Sequence, residues 1–200
     1  MKLNTERTEI RIAGFGGQGV ILAANIIGKA ASIHADGYAT LTQNYGPEAR
    51  GCASSAALIL SAAPVLYPYT TKLDILVAMS QEAYTRFIPD LAEGGLLLVE
   101  RDLVRLEALP GSIRVYGIPA TRLTEELGKR IVMNIIMLGF LTSKTSIIPV
   151  EGYKRAVLQS VPAAAHELNM RAFDTGYEYG LKAGPVSPED AETAEAVVVE

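Results

Sequence analysis

The fold is decided by the stretch Ala13-Gly14-Phe15-Gly16-Gly17-Gln18-Gly19-Val20. A short apolar strand is predicted just before it, at residues 9–12, and an apolar helix just after it, at about residues 20–33. Gly14, Gly16 and Gly19 match the G-x-G-x-x-G pattern at the strand-to-helix turn of a dinucleotide-binding fold. The stretch therefore predicts an α/β sheet that begins with this strand.

The ribose-binding acid of a dinucleotide site is missing. NAD or FAD needs a carboxylate about 20 residues further on, at the end of the second strand. That strand is predicted at residues 38–42 and continues into Gln43-Asn44, whereas Asp36 lies before it.

Three roles remain open for the turn: a structural turn in which glycine permits positive φ, an anion or phosphate site at a helix N-terminus, or a dinucleotide site. The candidate binding residues, as an anion or phosphate turn, are Gly14, Gly16, Gly17, Gln18 and Gly19.

Length and composition favour one α/β domain, predicted over residues 1–184. The chain has 200 residues, is 49% hydrophobic and contains no tryptophan. A chain of this size buries about 70% of its unfolded surface. No apolar run reaches the ~18 residues that cross a bilayer, and the first seven residues lack the apolar core of a secretory signal. A cytoplasmic protein without membrane contact is expected.

The sequence supplies few metal or redox ligands. Cys52 is the only cysteine, which excludes an internal disulfide and an iron–sulfur cluster held by this chain alone. His34 and His166 are the only histidines, so no zinc site is expected. We recognise no acid, base or nucleophile set, and we predict neither catalytic nor metal-binding residues. Cys52 is expected to be a core-facing thiol.

The net charge of −4 is unevenly distributed. Residues 185–200 contain five acids and no base, so residues 1–184 carry 17 acids and 18 bases, a net charge of +1. The nearly neutral body gives no electrostatic reason to expect nucleic acid as a partner. The segment 185–200 is predicted to be an acidic tail that is mobile or docked on a partner.

Strand and helix signals alternate along most of the chain. Further strands are predicted at residues 53–61, 65–67, 74–79, 95–99 and 114–118. Helices are predicted at residues 80–87, 119–128, 131–142, 150–160 and 163–183. Ser80 is predicted to cap the first of these helices. The pattern indicates a doubly wound, Rossmann-like, mostly parallel sheet with mixed edges and a helical C-terminal third.

A second unusual segment runs from Asn44 to Cys52. It leaves the carboxyl end of the second strand, the edge at which open α/β sheets bind ligands. Gly46-Pro47 makes it a shaped turn that presents Tyr45, Glu48 and Arg50. Arginine suits a bidentate grip on a carboxylate or phosphate, but a Glu48–Arg50 pair that only holds the loop is equally open.

Together these segments resemble the gamma subunit of the 2-oxoacid:ferredoxin oxidoreductases, most closely the 2-oxoglutarate type. The resemblance covers about residues 8–180. It is carried by Gly14-Phe15-Gly16-Gly17-Gln18-Gly19, Tyr45-Gly46-Pro47-Glu48-Ala49-Arg50-Gly51, Ala78-Met79-Ser80-Gln81-Glu82-Ala83-Tyr84, Ile118-Pro119-Ala120-Thr121, and Asn134 with Leu138-Gly139. The chain departs from the family at Asn44, where serine is usual, and at Cys52, where glycine is usual.

The resemblance implies a multisubunit enzyme that decarboxylates a 2-oxoacid oxidatively with coenzyme A, giving an acyl-CoA, carbon dioxide and reduced ferredoxin. It implies that thiamine diphosphate, magnesium and iron–sulfur clusters lie on partner subunits. These partners are alpha and beta chains, with a ferredoxin-like delta chain as a further candidate. The gamma chain then packs beside the active cleft, where Tyr45, Glu48 and Arg50 form a cleft or interface loop. The isolated chain is expected to be inactive.

Other functions remain open. A subunit of the indolepyruvate or pyruvate type shares the glycine turn, a stand-alone dinucleotide-binding redox protein shares the fold, and a pure assembly module needs no ligand.

Overall fold

A six-stranded sheet forms the centre of the computed structural model, which describes residues 1–45 and 53–186. In chain order the strands are β1 (Arg7–Phe15), β2 (Tyr38–Tyr45), β3 (Ala53–Ser61), β4 (Leu73–Ala78), β5 (Leu91–Glu100) and β6 (Arg114–Ile118). Their spatial order is β2-β3-β1-β4-β5-β6. The sheet is mostly parallel, as the sequence predicts.

The exception is β3, which pairs antiparallel with both of its neighbours. It lies inside the sheet, between β2 and β1, and not at an edge. β1 and β2 run in the same direction, but β3 separates them and they are not adjacent. β1 instead pairs in parallel with β4, β4 with β5, and β5 with β6.

Helices cover both faces of the sheet. They are α1 (Val20–His34), α2 (Gln81–Phe87), α3 (Ala120–Glu126), α4 (Met133–Lys144), α5 (Val150–Leu158) and α6 (His166–Lys182). The side chains of each strand alternate between two cores. Ile75 and Val77 face the core shared with α1, α4, α5 and α6. Leu76 faces the smaller core that contains Tyr84 and Phe87 of α2. The doubly wound arrangement and the helical C-terminal third are confirmed.

One predicted strand is wrong. Residues 65–67 are not a strand, and Leu66 is 95% exposed. Pro64 and Pro68 bracket this segment and have no N–H to donate to a ladder. The single domain over residues 1–184 stays a prediction, and residues 187–200 of the predicted tail lie outside the described residues.

Candidate functional site

The glycine turn lies at the carboxyl edge of the sheet, between the end of β1 and the start of α1. Gly17 has φ +96° and Gly19 has φ +73°, values that favour glycine. Gly14 is buried, and a Cβ there would lie 3.0 Å from Cβ of Met79. These three glycines are therefore explained by backbone conformation and by close packing against the end of β4.

The side chain of Gln18 holds the turn in shape. Its Oε1 accepts a hydrogen bond from the N–H of Phe15 at 2.7 Å, and its Nε2 donates to the carbonyl of Met79 at 3.0 Å. The sequence predicts Gln18 as part of an anion turn. In the structure both of its polar ends bond to the protein, so it positions the turn.

Asn134, in the first turn of α4, packs against the other end of the turn. It is 1% exposed, and its Nδ2 donates to the carbonyl of Gly19 at 3.2 Å. A Cβ on Gly19 would lie 2.6 Å from Cγ of Asn134. The Oδ1 atom of Asn134 is buried and has no hydrogen-bond partner among the described residues. An unpaired acceptor therefore lies close to the glycine turn.

The N-terminus of α1 has no side-chain cap. Its N-cap is Gly19, and its first turn contains no acidic residue. The first N–H groups of a helix lack partners within the helix and attract anions. Gly16 and Gly17 are exposed, and a Cβ on Gly17 would meet no atom within 4 Å. The turn thus has the open, uncapped geometry that an anion requires.

Glu100 is a buried carboxylate at the end of β5, on the same edge of the sheet. It is 0% exposed, and its Oε1 accepts a hydrogen bond from the N–H of Thr121 at 3.0 Å. Its Oε2 has no hydrogen-bond partner within residues 1–45 and 53–186. Burial raises the pKa of the Glu100 carboxyl above its ordinary value, although the Thr121 N–H opposes this shift.

Ser80 is fully buried and caps α2 as predicted. Its side chain accepts a hydrogen bond from the N–H of Ala83 at 3.2 Å. Only Met79 separates Ser80 from the end of β4, so this cap fixes the start of α2 beside the glycine turn.

The register of the strands places the second predicted segment near the glycine turn. Tyr45 is the last residue of β2 and pairs with Ser54 of β3, and Ser54 also pairs with Gly14 of β1. Two strand spacings of about 4.8 Å therefore separate the backbones of Tyr45 and Gly14, or about 10 Å. Glu48, Arg50 and Cys52 lie outside the described residues, as does the side chain of Tyr45.

Sequence reasoning missed the roles of Glu100 and Asn134. A weak signal exists for each. Glu100 is a charged residue directly after the apolar run Leu96-Leu97-Leu98-Val99, and Asn134 interrupts an apolar helix. Neither pattern names the contact that the residue makes.

In the part of the chain that the structure describes, no three His, Cys, Asp or Glu side chains are grouped so that they hold a metal ion. None of the described helices combines the length and apolar character that crossing a bilayer requires.

Comparison with known proteins gives consistent matches. The 2-oxoglutarate synthase subunit KorC of Methanocaldococcus jannaschii is 47% identical over 174 residues, which cover 86% of this chain and 93% of KorC. A keto/oxoacid ferredoxin oxidoreductase gamma subunit from Geobacter sulfurreducens superposes with a TM-score of 0.81 at 41% identity, covering 90% of this chain and 99% of that one.

A longer protein contains the same fold. The 2-oxoglutarate:ferredoxin oxidoreductase from Magnetococcus marinus, solved with 2-oxoglutarate, coenzyme A and succinyl-CoA bound, matches with a TM-score of 0.80 at 20% identity. The match covers 92% of this chain but only 33% of that one.

The family model described as pyruvate ferredoxin/flavodoxin oxidoreductase matches residues 9–179, which include every described element except the first two residues of β1 and the end of α6. With the glycine turn, the sheet and the gamma-subunit relatives in agreement, the chain belongs to the pyruvate ferredoxin/flavodoxin oxidoreductase family.

Proposed function

We propose that this chain is the gamma subunit of a 2-oxoglutarate:ferredoxin oxidoreductase. The complex decarboxylates 2-oxoglutarate oxidatively with coenzyme A and gives an acyl-CoA, carbon dioxide and reduced ferredoxin. The observation that carries the proposal is the 47% identity to KorC across 93% of that subunit. Since the identity extends over nearly the whole relative, it supports equivalence as a subunit and not only a shared fold.

The reactive groups are proposed to lie on partner chains. Thiamine diphosphate with magnesium, when bound there, supplies the carbanion chemistry, and iron–sulfur clusters carry the electrons to ferredoxin. The donor set of this chain fits that division, because its one cysteine is too few for a cluster. The partners are alpha and beta subunits, with a ferredoxin-like delta subunit as a further candidate.

The proposed contribution of this chain is an anion-binding edge beside the active cleft. The uncapped start of α1 and the exposed glycines Gly16 and Gly17 suit a phosphate group of coenzyme A. Gln18 and Asn134 hold the turn in position for it. Tyr45, Glu48 and Arg50 are proposed as a cleft or interface loop, and the Tyr45 register supports a position near the turn.

The order of the strands argues against the alternative of a stand-alone dinucleotide-binding protein. In the classical dinucleotide order the second strand lies beside the first and brings its acid to the ribose. Here antiparallel β3 lies between them, and β2 ends without an acid. The pyruvate and indolepyruvate types stay open as alternatives. The 2-oxoacid that the complex prefers distinguishes them from the 2-oxoglutarate type.

The proposal is tested by producing this chain together with its partner subunits. We expect the purified complex to reduce ferredoxin or a viologen dye when both 2-oxoglutarate and coenzyme A are present. The isolated chain is expected to reduce neither, and NAD is expected to show no saturable binding below millimolar concentration.

A complex that prefers pyruvate or an arylpyruvate would assign this chain to the pyruvate or indolepyruvate type instead. Turnover by the pure single chain, or micromolar affinity for NAD, would refute the subunit assignment.

A further inference from the structure

An exposed apolar loop joins β3 to β4. Residues 62–71 contain no charged side chain. Leu66 is 95% exposed, Tyr67 60% and Tyr69 59%. Large exposed apolar patches on soluble proteins mark interaction sites, whereas single exposed apolar residues are ordinary. Three large apolar side chains within four residues form a patch, which we call the apolar loop.

Charged side chains hold the end of the apolar loop that leads into β4. Glu9, only 5% exposed, accepts hydrogen bonds from the N–H of Thr71 at 2.6 Å and of Lys72 at 3.2 Å. Arg7 pairs with the same carboxylate at 2.7 Å. Arg11 donates to Oγ1 of Thr70 at 3.1 Å. The carboxyl pKa of Glu9 is held below its ordinary value, since these hydrogen bonds outweigh its burial.

The other end is held by Ser61. Its hydroxyl donates to the carbonyl of Glu6 at 3.0 Å and accepts from the N–H of Ala63 at 3.1 Å. Both ends of the apolar loop are therefore fixed to the N-terminal part of β1 and the residue before it.

The apolar loop is also stiff between its ends. Pro64 and Pro68 each fix a φ angle, and the rings of Tyr67 and Tyr69 meet edge to face at 5.5 Å between centroids. A segment that is already ordered loses little conformational entropy on binding. Fixed ends, two prolines and a tyrosine pair therefore preorganise the apolar loop for contact with a partner.

A partner chain is the occupant that best fits the apolar loop. Tyrosine is enriched and charge is depleted in the centres of protein interfaces. The Magnetococcus marinus protein contains the same fold in a chain about three times as long, so about two thirds of that chain is protein outside the matched fold. A second copy of this chain fits less well, because the cleft at the amino edge of the sheet, the same edge as the apolar loop, is lined by five charged side chains that do not complement an apolar loop, those of Arg7, Asp74, Glu93, Arg114 and Lys144.

We propose that the apolar loop docks this chain onto another subunit of the same oxidoreductase, with Leu66 and Tyr67 as the anchors. The partner surface is then an uncharged apolar groove that takes these two side chains. The inference rests on the proposed function, because it needs the subunits of that complex as its partner.

The test substitutes Leu66 in the complete complex, with a tag on a partner subunit. Leu66→Glu places a charge in the groove and is expected to lower the amount of this chain that co-purifies at least tenfold. Leu66→Met keeps an apolar anchor and should co-purify as the wild type does. The matched control is Leu181→Glu on α6, where Leu181 is 62% exposed. All isolated variants should melt within a few degrees of the wild type, since these side chains are exposed.

Normal co-purification of Leu66→Glu would overturn the inference, and so would an equal loss in Leu181→Glu. A wild-type chain that dimerises alone, and that Leu66→Glu converts to a monomer while the complex stays intact, would assign the loop to a second copy instead. If the wild-type chain fails to co-purify and the partners turn over 2-oxoglutarate without it, the proposed function fails as well.

Discussion

At the scale of single residues, the two positive-φ glycines of the turn differ in what surrounds them. An alanine at either position costs about 1–2 kcal/mol, because its Cβ disfavours the left-handed conformation. At Gly17 the added Cβ meets no atom within 4 Å, whereas at Gly19 it collides with the side chain of Asn134.

We therefore expect Gly19→Ala to lower the free energy of unfolding more than Gly17→Ala, by a further ~1–3 kcal/mol of overpacking. Urea denaturation of the isolated chain measures both, with Gly17→Ala as the internal control. Equal losses would show that Asn134 does not hold the turn.

Glu100 makes stability depend on pH in a defined direction. Burial raises the pKa of its carboxyl in the folded protein above the ordinary value of 4.5, so the folded state holds the proton more tightly than the unfolded state. The stabilisation that comes from protonated Glu100 is fully present below pH 4.5. It is lost as the pH rises through the pKa of Glu100 in the folded protein.

Glu100→Gln removes this titration and keeps an oxygen to accept from the N–H of Thr121. The unfolding free energy of the variant relative to wild type should therefore increase as the pH rises from 4.5. Denaturation at several pH values checks this, with exposed Glu178→Gln as the control. A relative stability that is flat in pH, or that falls, would contradict the prediction.

The sequence predicts individual residues where the cause is local. The glycines of the turn and the Ser80 cap depend on neighbouring residues only. The structure confirms positive φ angles in the turn and the Ser80 cap. The role of Gln18 is not local, because its Nε2 bonds to the carbonyl of Met79, 61 residues away. The contact of Asn134 with Gly19 spans 115 residues and is hidden for the same reason.

At the scale of elements, α4 and α6 approach each other closely enough to require glycine. A Cβ on Gly176 of α6 would overlap the carbonyl of Ile136 on α4. By contrast, a Cβ on Gly28 of α1 would lie at an ordinary 3.9 Å from Ala39 and Leu58. Both glycines lie inside helices, where alanine is intrinsically better by about 1 kcal/mol.

The same substitution should therefore have opposite effects at the two positions. Gly176→Ala is expected to destabilise the chain by about 1–3 kcal/mol, since a backbone carbonyl cannot move aside cheaply. Gly28→Ala is expected to be neutral or to stabilise by up to about 1 kcal/mol. Thermal and urea unfolding of the pair decides the matter, and a stabilising Gly176→Ala would disprove the close approach.

Element boundaries are predicted well where burial sets the pattern. The limits of β3 and β6 agree with the structure, because apolar runs there end at turn residues. Residues 65–67 show the limit of that reasoning. A short apolar run also occurs in an exposed contact loop, and the pattern does not say whether the run packs inside its own chain.

At the scale of the whole molecule, strand order is what the sequence does not reveal. The run that forms β3 is apolar on both faces, which suits a buried strand of either direction. Its antiparallel position between β2 and β1 depends on contacts across the chain, since Arg7 pairs with Ser61. The fold class was predictable and the topology was not, and the topology adds a second difference from a dinucleotide-binding sheet to the missing acid at the end of β2.

The position of β1 also has a consequence for synthesis of the protein on the ribosome. Both neighbours of β1 are made later, because β3 ends at Ser61 and β4 ends at Ala78. At roughly 5–20 residues per second, the strand that ends at Phe15 waits roughly 3–13 seconds before β4 is complete. Until β3 is complete at Ser61 the apolar strand β1 has no partner on either side, and from then until Ala78 it lacks a partner only on the β4 side. β1 is therefore unpaired along at least one side until Ala78 has been made, and an unpaired apolar strand is prone to pair with other chains.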